Sequence, residues 1–299
     1  MASNKLSRNE FDIMVVLAEK GIKLSQRELE VESGHSLSTV NRTLKDLSEK
    51  GYVEDGLPSS KGLKTLDEYA VKSAVYIAAG FGSRLVPITL NTPKPLVRVN
   101  GKRLIDTSID AMLELGVTDI TIVRGYLSEQ FDQLKYKYPM IKFIENPLFN
   151  EANNISSVVV ARYMLENAYV LESDLLVNNP KVLKKYHYCS DYICSYVDRT
   201  DDWCFNVKDN IICDEKIGGE NCYQLKGISY WDSADGKKLA DHIEKAYNSP
   251  GGKELYWEQV PFVKYKNEYK VEISECKMND IIEIDTFNEL KKIDKTYDI

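Results

Sequence analysis

The sequence predicts a mixed, mostly parallel α/β sheet with helices on both faces, preceded by a small helical domain. Three observations carry this. Residues 1–70 hold three amphipathic helical segments and no long strand, whereas from Ala74 onward short apolar runs alternate with helical periodicities. A glycine-containing loop follows the first of those apolar runs. With 299 residues, the chain has room for two domains, read as 1–70 and 71–299.

In the first domain, Phe11, Ile13, Met14, Val16 and Leu17 fit one helical face. Ser25 with Glu28 three residues on has the form of a capping box, and this second helix is expected to end near Ser33-Gly34. A third helix begins at Ser36 or Ser38 and carries Val40, Leu44 and Leu47. Gly51–Glu54 reads as a short strand, and the polar run Asp55–Gly62 as a hairpin tip. In the second domain, strands are expected over 74–79, 120–123, 141–144, 168–171 and 280–284. Helices are expected over 103–115, 127–136, 156–165, 233–247 and 255–264, and from Thr286. Strand-like segments over 189–231 suggest an antiparallel excursion.

Composition excludes several classes. With 39 lysines and arginines against 46 aspartates and glutamates, the net charge is −7, so no broad basic surface is expected for nucleic acid or anionic lipid. No apolar run approaches the roughly 20 residues of a membrane span, and MASNKLSRNEFD lacks the apolar centre of a signal peptide, so a cytoplasmic location is expected. The six cysteines have no paired spacing and are expected to be free thiols.

Helix–helix–helix–hairpin order resembles the winged helix-turn-helix family. That resemblance implies a third helix, within residues 36–50, that can enter a DNA groove through Ser38, Thr39, Asn41, Arg42 and Lys45. Residues 1–70 hold 10 basic against 12 acidic side chains, which counts against DNA and leaves dimerisation or regulation as the alternative.

The chemical signal is the string Ala78-Ala79-Gly80-Phe81-Gly82-Ser83-Arg84-Leu85, followed by Pro93-Lys94-Pro95. A strand running into Gly-x-Gly turns tightly and aims successive N–H groups at an anion. Arg84 adds a forked donor and Lys94 a mobile point charge. A dinucleotide loop would need a small residue where Leu85 stands, and a P-loop would need Gly-Lys-Ser/Thr.

The whole string resembles the signature of the nucleotidyltransferases that join a nucleoside triphosphate to a phosphorylated small molecule, most closely the bacterial CTP:phosphocholine cytidylyltransferases. The resemblance covers about residues 74–299 and implies a Rossmann-like fold. It includes Gly125-Tyr126, Asn153–Ser157, Glu172-Ser173-Asp174, Tyr230-Trp231-Asp232, Leu255–Glu258 and Glu283–Thr286. It implies that Gly80, Gly82, Ser83 and Arg84 hold the triphosphate of CTP and that Lys94 neutralises the α-phosphate. Ala79 and Tyr126 would lie beside the base, with Asn153, Asn154 and Ser156 lining the pocket. Asp174 and Asp285 would hold Mg²⁺, and Glu172, standing where relatives often have Asp, is left out of the metal shell.

The chemistry needs no general base. A phosphate monoester has a second pKa of about 6 and is mostly dianionic, so catalysis rests on positioning and charge neutralisation. A choline-type acceptor calls for aromatic faces beside an acid, and Trp203, Tyr256 and Glu258 can supply them. Ordinary core packing is the alternative for Trp203 and Tyr256, and the favoured reading for Trp231. For Asp285, before Thr286, the alternative is a helix cap. Phosphoethanolamine, 2-aminoethylphosphonate or a sugar 1-phosphate would be alternative acceptors. A DNA-binding regulator sensing CTP or a CDP-linked product is a reading of another class. A homodimer through the head is a further expectation.

Overall fold

The structure is a computed structural model that describes residues 5–298. It divides into two units, one holding the chain up to Ala70 with Tyr186–Tyr188, the other Val71–Lys185 and the chain from Cys189 onward.

The first unit is built on serine-capped helices: α1 (Arg8–Lys20), α2 (Gln26–Ser33) and α3 (Leu37–Glu49). Ser7 with Glu10 and Ser25 with Glu28 form capping boxes, Ser36 caps α3, and Gly21 and Gly34 end α1 and α2 in the left-handed conformation. Strands β1 (Val53–Glu54) and β2 (Leu57–Pro58) pair antiparallel, giving the winged-helix order. The hairpin tip is shorter than the sequence suggests. Asp55 and Gly56 make the turn, and Ser59 caps an additional helix α4 (Ser60–Leu66), because its hydroxyl accepts from the Gly62 amide. Phe11, Ile13, Met14 and Leu17 meet Leu29, Val40 and Leu47 in the core.

The second unit begins with β3 (Ser73–Ala78), followed by β4 (Arg98–Val99), β5 (Lys102–Arg103) and α5 (Leu104–Glu114). Next come β6 (Asp119–Arg124), α6 (Leu134–Lys137), β7 (Lys142–Glu145), α7 (Ile155–Ala161), β8 (Ala168–Glu172) and β9 (Leu175–Val177). A long hairpin of β10 (Asp191–Lys208) and β11 (Ile211–Trp231) leads to α8 (Ser233–Tyr247), β12 (Glu272–Glu275), β13 (Ile281–Glu283) and α9 (Phe287–Ile293). The central sheet has the order β10-β12-β11-β8-β3-β6-β7, with β8, β3, β6 and β7 mutually parallel and β11 antiparallel to β8. Apolar residues of α5 (Ile105, Ile109, Met112) cover one face, and those of α7 and α8 (Ile155, Val158, Leu239, Ile243) the other.

Two expectations are corrected. Residues 127–136 form a 3₁₀ segment, Ser128–Gln133, before the single turn of α6. The helix expected over 255–264 is one wide turn, Val260–Lys264, with Pro261 inside, which can donate no backbone hydrogen bond. The strand expected over 280–284 forms as β13, which pairs antiparallel with β9. All six cysteines are free thiols. Among the described residues, no helix is long and apolar enough to cross a membrane.

Candidate active site

The site lies at the carboxyl ends of β3 and β8, where open α/β sheets bind ligands. Leaving β3, the chain turns at Gly82, whose φ of 62° is left-handed. A Cβ on Gly82 would stand 2.9 Å from Lys94 Cβ, so the loop and the lysine pack without room for a side chain. The Thr89 hydroxyl donates to the Gly82 carbonyl at 2.8 Å and pins the turn.

Lys94 is 8% exposed. Its ammonium donates to Asp174 Oδ2 at 2.6 Å and to Asp285 Oδ1 at 2.8 Å, while Arg84 also donates to Asp285 Oδ1 at 2.8 Å. Burial works against the Lys94 charge, but the two carboxylates outweigh it and hold its pKa above the ordinary lysine value. Burial likewise acts to raise Asp285, and Lys94 and Arg84 reverse this and hold it below the usual range. The expected pair, Asp174 and Asp285, therefore meets on one ammonium. Asp285 is not the helix cap; Thr286 caps α9, with Glu289 completing a capping box.

Oxygens of Glu172, Asp174 and Glu283 lie within 4.8 Å of one another. Burial first, then neighbouring acids, pushes Glu172 well above the carboxylate range and Glu283 up to about 10. Asp174 Oδ1 is buried with no hydrogen-bond partner. Asp174 belongs to this oxygen cluster and Asp285 does not, whereas Glu172, set aside from the sequence, does. Gly227, at φ 65°, leaves the room: a Cβ there would be 2.8 Å from Glu172 Oε2.

Two cavities share Ser83, Arg84, Glu172, Asp174 and Asp285. One, of about 390 Å³, is also lined by Gly80, Gly82, Lys94, Asn153 and Asn154. Three residues expected there line neither cavity. Ser156 is buried, donating to Asn153 O at 2.8 Å and accepting from Asn146 Nδ2 at 2.9 Å, so it braces the loop. Ala79 is buried and its carbonyl accepts from the Tyr126 amide. The Tyr126 hydroxyl donates to Thr89 O at 2.9 Å, and its ring packs 5.0 Å from Phe81, which does line the cavity.

The other cavity, of about 420 Å³, brings Trp203, Tyr256 and Glu258 to the same carboxylates and Arg84. The Trp203 and Tyr256 rings stand 5.4 Å apart at 59°. Burial first, and then Glu215, pushes Glu258 up to about 8. Trp231 is fully buried against Trp257, Phe262 and Tyr269, as core. Asp232 caps α8.

Sequence reasoning missed Glu172, Glu283, Tyr192 and Glu215 as lining residues. Glu172 and Glu283 each stand two residues before an expected ligand, a period that can return a side chain to the same side at a strand end. For Glu215 the sequence carries no signal, because the register of β10 against β11 shifts repeatedly between Thr200 and Val207.

Comparison with known proteins adds relatives for both units. Residues 73–187 match the nucleotidyl transferase family and residues 5–58 the MarR family. The chain is 35% identical over 230 residues to the 2-aminoethylphosphonate cytidylyltransferase of Lancefieldella rimae, covering 75% of this chain and 93% of that protein. It is 37% identical over 230 residues to the choline-phosphate cytidylyltransferase of Streptococcus pneumoniae, covering 74% and 96%. Among solved structures, the CTP:phosphocholine cytidylyltransferase of Streptococcus pneumoniae superposes with a TM-score of 0.70 at 34% identity, covering 76% of this chain and 99% of that one. The inositol-1-phosphate CTP transferase of T. maritima, at 18% identity and a TM-score of 0.62, shares the fold.

Proposed function

The chain belongs to the nucleotidyl transferase family, its body being a cytidylyltransferase-like unit, and from that premise we propose that it joins CTP to phosphocholine, releasing pyrophosphate and forming CDP-choline. The observation that carries this is the junction of the two cavities. A lysine and an arginine paired to aspartates stand where a loop-lined cavity meets one holding the Trp203–Tyr256 pair and Glu258. The first suits a triphosphate, and the second suits a quaternary ammonium, which aromatic faces attract at about 0.5–2 kcal/mol each.

In this reading Gly80, Gly82 and Ser83 cradle the triphosphate, and Arg84 and Lys94 exchange carboxylate partners for phosphate oxygens. Asn153 and Asn154 line the nucleotide side; the side-chain Oδ1 of Asn154, which accepts from the Trp257 amide at 2.9 Å, also ties that side to the acceptor segment. An acceptor phosphate oxygen attacks the α-phosphorus in line. The bond from the α-phosphorus to its bridging oxygen breaks, and the electron pair leaves with pyrophosphate. Lys94 and Arg84 stabilise the charge gathering on the departing group. The residues also fit a Mg²⁺ ion, since Asp174 Oδ1 lacks a partner and stands among the oxygens of Glu172 and Glu283. Mg²⁺ would neutralise phosphate charge beside Asp174. Asp285 would then serve chiefly as the counterion of Lys94 and Arg84.

A matrix of CTP, UTP and dTTP against phosphocholine, 2-aminoethylphosphonate and a sugar 1-phosphate, read by pyrophosphate release with Mg²⁺, tests this. Activity is expected with CTP and phosphocholine, and its absence there rejects the reading. Trp203→Ala should raise the KM for phosphocholine about tenfold.

A second reading concerns the first unit. Ser38, Asn41, Arg42 and Lys45 are exposed on α3 of the MarR-like unit, which supports DNA contact. Lys45 lies 3.7 Å from Glu49, which tempers its charge. Salt-dependent retardation of a duplex from upstream of its own gene, lost in Arg42→Ala/Lys45→Ala, would support it; no retardation at low salt would dismiss it.

A further inference from the structure

We infer that Glu215 reads the cationic end of the acceptor by hydrogen bonding, so that the pocket takes primary ammonium acceptors as well as quaternary ones. This rests on the reading of the second cavity as the acceptor site. Glu215 lies on β11 and lines that cavity with Trp203, Tyr256 and Glu258. Its Oε2 atom is sealed from solvent and has no hydrogen-bond partner. Burial pushes its carboxyl up to about 8.

The neighbouring acid is provided for differently. Glu258 Oε1 accepts from the Tyr192 hydroxyl at 3.5 Å, and the Asn154 side chain also hydrogen-bonds to it. The cations of the site are committed elsewhere: Lys94 to Asp174 and Asp285, Arg84 to Asp285. A buried oxygen left without a donor is costly, and native structures seldom tolerate one.

The two kinds of ammonium differ in what they can offer. A trimethylammonium group carries no N–H; it gains from the faces of Trp203 and Tyr256 and leaves Glu215 without a donor. A primary ammonium carries three N–H donors and gains less from aromatic faces, but it can form the charge-assisted hydrogen bond that Glu215 lacks. The cavity thus holds two separable devices, an aromatic pair and an unanswered carboxylate.

The test is steady-state kinetics on the full chain with CTP and Mg²⁺, comparing phosphocholine with 2-aminoethylphosphonate and phosphoethanolamine. The wild type should use both kinds of acceptor. Glu215→Gln keeps the shape and removes the acid that can ionise against a bound ammonium; it should lower kcat/KM about 30-fold for the primary amines and less than 3-fold for phosphocholine. Trp203→Ala should show the opposite ranking. A wild-type melting temperature for Glu215→Gln, read by calorimetry, is the check on folding. Equal losses on both kinds of acceptor, or a wild type that uses phosphocholine and rejects both amines, overturns the proposal while leaving the cytidylyltransferase reading intact. Turnover of none of these acceptors rejects that reading, and the role of Glu215 with it.

Discussion

Replacing Lys94 with methionine keeps the length of the side chain and removes the one charge that two carboxylates share. Lys94 is 8% exposed, and its hydrogen bonds to Asp174 and Asp285 measure 2.6 and 2.8 Å. Removing one partner of a buried ion pair costs about 3–5 kcal/mol, because the other is left uncompensated. The Asp174 and Asp285 side chains are 20% and 23% exposed, so solvent relieves part of this and the lower end applies, about 3 kcal/mol. At roughly 2–4 °C per kcal/mol, the body should melt about 6–12 °C lower. Turnover should fall roughly 10²–10³-fold, the usual loss when one preorganised donor to developing charge is removed.

Mg²⁺ supplies a diagnostic readout. In Lys94→Met, Asp174 loses the ammonium and is free to bind a cation with Glu172 and Glu283, while Asp285 keeps Arg84. Ligand at 100 times its dissociation constant stabilises by about 2.7 kcal/mol, so added Mg²⁺ should raise the melting temperature of the variant more than that of the wild type. Scanning calorimetry with and without Mg²⁺, alongside pyrophosphate release, measures both effects. A variant with wild-type melting temperature and kcat/KM within threefold, or one to which Mg²⁺ gives no more than it gives the wild type, refutes the argument that Lys94 neutralises this pair.

Three further outcomes are expected. Gly82→Ala places a Cβ in a left-handed turn 2.9 Å from Lys94, so it should destabilise by about 1–2 kcal/mol and raise the KM for CTP, read by calorimetry and initial rates. Glu258 has a folded pKa of about 8, above its unfolded value, so its protonated form contributes stability that is complete below about pH 4 and is lost as pH rises through 8. The melting temperature of the wild type should therefore fall between pH 5 and pH 9 relative to Glu258→Gln, and parallel profiles would contradict this. Deleting residues 1–70 strips Tyr188 of the Phe11 and Tyr69 rings and of Arg8, so the remaining chain should bind a hydrophobic dye, and less so with Tyr186→Ser/Tyr188→Ser.

Legibility followed the range of each interaction. The Ser25–Glu28 capping box, the end of α2 at Ser33-Gly34 and the α5 stripe were legible because each is settled within one or two turns of chain. The expected helix over 255–264 failed because its apolar residues serve a packed turn carrying Pro261, and periodicity alone cannot distinguish the two. Tyr126 and Ser156 sit in the right segments, but their polar atoms are engaged by Thr89, Asn146 and Asn153, partners that no local pattern reveals.

The glycine loop, Arg84 and Lys94 pointed to an anion-binding turn from the amino-acid order alone, since a turn that bares amide groups and places cations nearby is a short-range property, and the resemblance of the whole string supplied the nucleotidyl-transfer reading. Which carboxylates answer those cations was decided in three dimensions. Lys94 meets Asp285 across 191 positions, and Glu215 reaches the cavity of Trp203 and Tyr256 through the bulged pairing of β10 and β11. Charge pairing and burial depend on distance through space, and only the folded sheet determines which side chains come near.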